Sequence, residues 1–265
     1  MELLFQVLPG FMLIFCRITS FFVVAPVLSS KNIPNTFKIG LSLCVTFIVF
    51  SSIGLNQAVV IDGQYILLII REMLIGILLG FLGYMFFTVV QIAGSFMDMQ
   101  IGFSMANIID PLSGTSSPLV GNLKYMIAIL LFLTFDGHHY LLRAIMESYH
   151  WIPLDNQLFT RIYNGQISDF LFQSFSKMFY LSFQLAAPII AALFLTDLGL
   201  GLLTRVAPQF NIFVIGAPLK MILGLILLAL LFPELISQFQ GLFASLFDSM
   251  QNLLQLISGS QPTSP

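Results

Sequence analysis

Residues 65–90 read YILLIIREMLIGILLGFLGYMFFTVV, an apolar run whose only charged members are the adjacent Arg71 and Glu72. A helix needs about 20 predominantly apolar residues to cross a bilayer, and this stretch exceeds that length with no proline inside it. It therefore predicts a membrane-spanning helix with an ionic pair near its start. Gly76, Gly80 and Gly83 recur at helical spacing, which lets a second helix approach closely, although glycine is frequent in membrane helices generally.

The rest of the chain has the same character. Of its 265 residues 58% are hydrophobic and only 8% charged, where a soluble domain carries about 25% charged residues. No water-facing surface can be assembled from that inventory, so the chain is an all-α integral membrane protein. The abundance of Phe and Met over Trp supplies rings and flexible thioethers to fill gaps between helices. A net charge of −2 with a pI near 5.8 offers no basic field for nucleic acid. Cys16 and Cys44 lie within apolar runs and read as small hydrophobes. Glu2 leads the chain and no Lys or Arg precedes Arg17, the wrong start for a cleavable signal peptide. The first apolar segment is therefore expected to be retained.

Six long hydrophobic helices are predicted, over residues 3–28, 39–61, 65–90, 119–135, 178–198 and 210–231. Three are flawed as plain spans: Arg17 sits inside the first, Pro188 interrupts the fifth, and Pro218 with Lys220 interrupts the sixth. Charge at depth and freed carbonyls are tolerated where a helix faces protein or a cavity. Cationic residues do not favour either side. Lys31, Lys38, Lys124 and Arg205 fall on one set of loops, and Arg71, Arg143, Arg161 and Lys177 on the other, so the positive-inside rule gives no orientation. That tie favours helices that do not simply run up and down through a bilayer.

Between residues 91 and 124 the chain is too polar to span and too apolar for a solvated loop. Met97, Met99 and Met105 lead into Asp110-Pro111-Leu112-Ser113-Gly114-Thr115-Ser116-Ser117-Pro118. This region either enters the membrane plane without crossing it, which requires protein or water around its backbone, or forms an extramembrane turn. Near the C-terminus, residues 235–257 place Leu, Ile, Phe and Met on one helical stripe with no Lys or Arg opposite. They predict an amphipathic helix that docks on protein rather than on anionic lipid. Residues 258–265 read as a disordered tail, and 1–257 as one membrane-embedded domain.

No nucleotide, metalloprotease or dinucleotide motif occurs, so no catalytic residue, cofactor or metal set is assigned. His138 and His139 follow Asp136-Gly137; adjacent side chains on a helix diverge, and capping near a helix end is their expected role. The scarce charges Arg17, Glu72, Asp197, Arg205 and Lys220 need partners at depth. One chain holds few of them, which points to other subunits supplying the rest.

The segment from Thr204-Arg205-Val206-Ala207-Pro208-Gln209-Phe210 through Gly216, Pro218 and Lys220 resembles the signature of the FliR family of flagellar biosynthetic proteins and their injectisome counterparts. Arg17 with Phe21 and Pro26, Pro34, Glu72 with Gly76 and Gly80, the run from Gly94 to Asp110-Pro111, and Asp136-Gly137-His138 agree in order. Phe210 stands where Met is common and Ala217 where a bulkier residue is common. The resemblance covers nearly all the chain except its tail. It implies a non-enzymatic subunit of a type III protein export gate in the bacterial inner membrane, at the flagellar basal body. FliP-like and FliQ-like chains would complete the hetero-oligomer, FlhB-like and FlhA-like components would act beside it, and unfolded proteins would be its cargo. It further implies that residues 109–120 act as a plug, with Met97, Met99 and Met105 as candidates for a seal. Gly76, Gly80, Gly83, Pro188, Pro208, Gly216 and Pro218 are expected at helix contacts and breaks. A small-solute secondary transporter is the competing class, but the inverted repeat it calls for is not visible.

Overall fold

The computed structural model describes residues 2–30, 32–53, 63, 65–104, 118–152, 158–207, 209 and 212–259. Every regular element among them is an α-helix: α1 (Glu2–Val24), α2 (Asn35–Ile53), α3 (Tyr65–Ile101), α4 (Leu119–Thr134), α5 (Gly137–Trp151), α6 (Leu158–Tyr163), α7 (Gln166–Val206), α8 (Ile212–Leu230) and α9 (Phe232–Ser258). Among the described residues three helices are long and apolar enough to cross a membrane, or up to five if each bent helix pair counts as one span. The all-α membrane class is thus as expected. At 37 and 41 residues, α3 and α7 extend about 55 and 60 Å, well beyond a hydrocarbon core of about 30 Å.

The chain forms two compact units. The first comprises Met1–Met85, Asp136–Ser174 and Ala244–Pro265, the second Phe86–Phe135 and Phe175–Phe243. In the first, Leu13, Ile18, Phe21 and Phe22 of α1 are buried, as are Ile75, Leu79 and Leu82 of α3. The glycine row of α3 makes this packing possible. A Cβ at Gly76 would strike the Ser20 Oγ and the Arg17 carbonyl, one at Gly80 would come within 3.0 Å of the Phe21 carbonyl, and one at Gly83 within 2.7 Å of Pro26 Cδ. Backbone approach of this kind is how small residues associate helices where no hydrophobic drive operates. After α1 the chain reverses through a γ-turn, in which the Leu28 amide donates to the Pro26 carbonyl at 2.8 Å across Val27 at φ 67°. That is a strained conformation for a β-branched residue.

In the second unit, Ala93, Met97 and Ile101 of α3 share a core with Val120 of α4 and Ala186, Ile189 and Leu193 of α7. Phe87, Phe132 and Phe243 form a ring cluster with centroids 5.2–5.9 Å apart. Gly94 meets Gly121 backbone to backbone, and Gly224 meets the Ile101 side chain.

Several expected boundaries shift. The third span does not end at Val90; α3 continues to Ile101, and Gly102 at φ 98° follows it, with the Gly102 amide bonded to the Asp98 carbonyl at 3.1 Å. Residues 91–101 contain no proline, and the side chains of Ser95, Asp98 and Gln100 find partners within the chain. Pro188 does not interrupt α7, nor Pro218 α8: both lie inside continuous helices, and both are exposed. Helix α5 had no counterpart among the expected elements. The C-terminal amphipathic helix is present as α9, with Phe239, Leu246, Met250 and Leu253 buried.

Candidate functional site

The segment that joins α3 to α4 is held at its base. Asp98 is buried, and its carboxylate accepts the Val120 amide at 3.0 and 3.1 Å and the Gly121 amide at 3.4 Å. These are first-turn N–H groups of α4, which have no intrahelical acceptor. The preceding residue, Pro118, offers no side-chain cap. Asp98 therefore caps a helix from 22 residues upstream, and a carboxylate there also complements the positive end of the helix. With Gly94 against Gly121, the two ends of the connection are fastened together.

Met97, Met99 and Met105 do not share one environment. Met97 is fully buried in the core with Val120 and Leu193, so its thioether fills a gap between helices instead of facing a passage. Met99, by contrast, is 66% exposed. Met105 and residues 110–117 lie outside the described residues, as does Pro208.

A second constellation lies in the first unit. Glu72 accepts Arg17 Nε on one carboxylate oxygen at 2.5 Å and Arg71 Nη2 on the other at 2.8 Å. Arg17 also donates to Ser148 Oγ at 3.0 Å and to the Ile152 carbonyl at 3.1 Å, and its guanidinium lies 4.0 Å from the centroid of the Tyr149 ring. The Tyr149 hydroxyl in turn donates to the Ile14 carbonyl at 3.1 Å. All these groups are buried, so the node ties α1, α3 and α5 by charge-assisted bonds in place of water.

In the second unit Lys220 Nζ meets Asp197 Oδ2 at 2.9 Å, and Gln100 Nε2 donates to the same oxygen at 3.2 Å. Scarcity of charge pointed to other subunits for some of the partners; Arg17, Glu72, Asp197 and Lys220 are paired within the chain, by helices distant in sequence. Arg205 is exposed in the last turn of α7, where a cation complements the helix dipole. Gly216 is buried in α8. Ser148, Tyr149 and the capping role of Asp98 were missed from the sequence. For α5 the signal was present, since Leu141, Ile145 and Tyr149 recur at helical spacing.

The expected capping role of His138 and His139 finds no support at His138, whose buried Nδ1 has no hydrogen-bond partner. Asp136 precedes α5 but makes no side-chain capping bond, and the His138 and His139 rings converge to 4.3 Å between centroids.

Residues 8–246 match the family model described as bacterial export proteins, family 1. The chain belongs to that family. It is 40% identical over 260 residues to the flagellar biosynthetic protein FliR of Bacillus subtilis (strain 168), covering 98% of this chain and 100% of that one. Identity to FliR of Escherichia coli (strain K12) is 34% over 238 residues, 90% of either chain. The Yop proteins translocation protein T of Yersinia pestis is 27% identical over 259 residues, 97% of this chain and 98% of that one. FliR proteins and the Yersinia translocation protein are thus both matched over nearly the whole chain.

Proposed function

We propose that this chain is a subunit of a type III protein export gate in the bacterial inner membrane. It assembles with FliP-like and FliQ-like chains, next to FlhA-like and FlhB-like components, and its segment 109–120 closes the conduit until an unfolded flagellar protein displaces it. The observation that carries the reading is the match of the family model to residues 8–246, and the higher identity to FliR than to the Yersinia protein favours the flagellar branch.

The chemistry of the loop base supports the plug. A Gly/Ser/Pro-rich segment contributes few side-chain anchors, so displacing it costs little, while Asp98 and the Gly94–Gly121 contact keep its ends fixed. Methionine adapts to varied surfaces, which suits Met99 and Met105 to seal against passing chains. Wide exposed apolar faces fit membrane lipid and neighbouring subunits; Phe172, Phe175, Tyr180, Phe183 and Leu195 of α7 lie on such a surface. Helices longer than a bilayer is thick fit a gate that departs from simple topology.

The test is the native mass of the complex carrying this chain, extracted in mild detergent from its own cells, with its co-purifying subunits identified. Different partner chains of FliP and FliQ type support the proposal. A lone chain or homodimer that persists under gentler extraction overturns it in favour of a transporter.

A further inference from the structure

We propose that Asp136, His138 and His139 form a binding site for one divalent transition-metal ion, with Zn²⁺ the best match to the donor set. One ligand atom from each lies within 4.8 Å of the other two. Zinc bonds of about 2.0–2.2 Å place neighbouring ligand atoms near 3.5 Å apart, so small side-chain rotations close the set. Adjacent residues on a helix ordinarily point away from each other, yet these two imidazoles tilt together at 4.3 Å and 38°.

Two further observations concern Asp136 and His138. Asp136 takes a left-handed conformation (φ 56°, ψ 25°) and its carboxylate makes no capping bond. Its main-chain carbonyl, accepting the His139 and Tyr140 amides at 2.9 and 3.3 Å, closes the first turn instead. His138 Nδ1 is shut off from solvent with no hydrogen-bond partner, an arrangement that buried ring nitrogens rarely keep. Two imidazoles and one carboxylate are a common protein ligand set for Zn²⁺ with an open fourth position. Asp136 and His139 are exposed, giving the ion a route in and that position a water. The start of a helix carries positive potential, so the Asp136 charge is needed to offset it. The ion would fasten the Asp136 turn to the first turn of α5.

The experiment uses the intact detergent-extracted complex, stripped with a chelator, desalted and titrated with Zn²⁺, the retained metal being measured by elemental analysis. The wild type should hold one more ion per copy of this chain than the His138→Ala/His139→Ala variant. Asp136→Asn, which tolerates the left-handed backbone, should weaken binding at least tenfold. His150→Ala, replacing the remaining histidine of the chain, in the last turn of α5, should bind as wild type. Equal retention by wild type and the double variant overturns the proposal. If the double variant fails to assemble, Asp136→Gly keeps the backbone unstrained and decides the matter: wild-type zinc affinity in that variant overturns the site, and lost affinity supports it.

Discussion

Replacing Glu72 by alanine should be among the most damaging single changes this chain can suffer. The carboxylate is fully buried and shared, with one oxygen on Arg17 at 2.5 Å and the other on Arg71 at 2.8 and 3.2 Å. Without it two guanidiniums stay in the interior. Arg17 keeps Ser148, the Ile152 carbonyl and the Tyr149 ring, while Arg71 loses both of its bonds to the Glu72 carboxylate. Removing one partner of a buried pair costs about 3–5 kcal/mol, a large part of the roughly 5–15 kcal/mol that holds a typical domain folded. Glu72→Gln should cost less, because an amide oxygen still accepts one bond. The internal control is Arg143→Ala, which breaks an exposed i,i+4 pair with Glu147 at 2.8 Å worth about 0.3–0.5 kcal/mol. The assay is the thermal midpoint for loss of the detergent-extracted chain from solution, with recovery from membranes read in parallel. Glu72→Ala should fall far below wild type while Arg143→Ala stays beside it. Equal midpoints for the two variants would refute the reasoning that the node holds α1, α3 and α5 together.

Three further outcomes are expected. Gly76→Ala should lower recovery of folded chain sharply, since its Cβ meets the Arg17 carbonyl and Ser20 Oγ, whereas Gly10→Ala, with open space around it, should not. Asp98→Ala uncaps α4 and should cost about 2 kcal/mol, the upper end for a lost helix cap; hydrogen exchange at Val120 and Gly121 would rise about 30-fold, the equivalent of that energy. Val27→Gly should raise the thermal midpoint slightly, because glycine takes φ 67° without the strain of a β-branched side chain.

The membrane class and the location of the long helices were legible because hydropathy is a property of local sequence. The run 65–90 announces a span by itself. What hydropathy could not report is how polar groups are satisfied by distant ones. Residues 91–101 looked unfit for a helix core since Gln91, Asp98 and Gln100 raise their polarity, yet Asp98 is consumed by the amides of α4 and Gln100 by Asp197. Likewise Arg17 read as a charge facing protein or a cavity, but its partners were not legible, because Glu72 lies 55 residues ahead and Ser148 131 ahead. Pro188 was overestimated as a breaker, since it lies inside a continuous helix of 41 residues. The glycines of α3 were legible as contact points, but their counterparts in α1 were not, since the Arg17 and Phe21 carbonyls are backbone atoms that any sequence would offer.

Ion conductance of the assembled gate reports whether the segment between α3 and α4 closes a conduit, as proposed. Deleting residues 113–118 leaves Asp98, Gly94 and Gly121 in place, so assembly should proceed while the resting membrane becomes leaky to ions. An assembled gate that carries the deletion and conducts no more than wild type would contradict the claim.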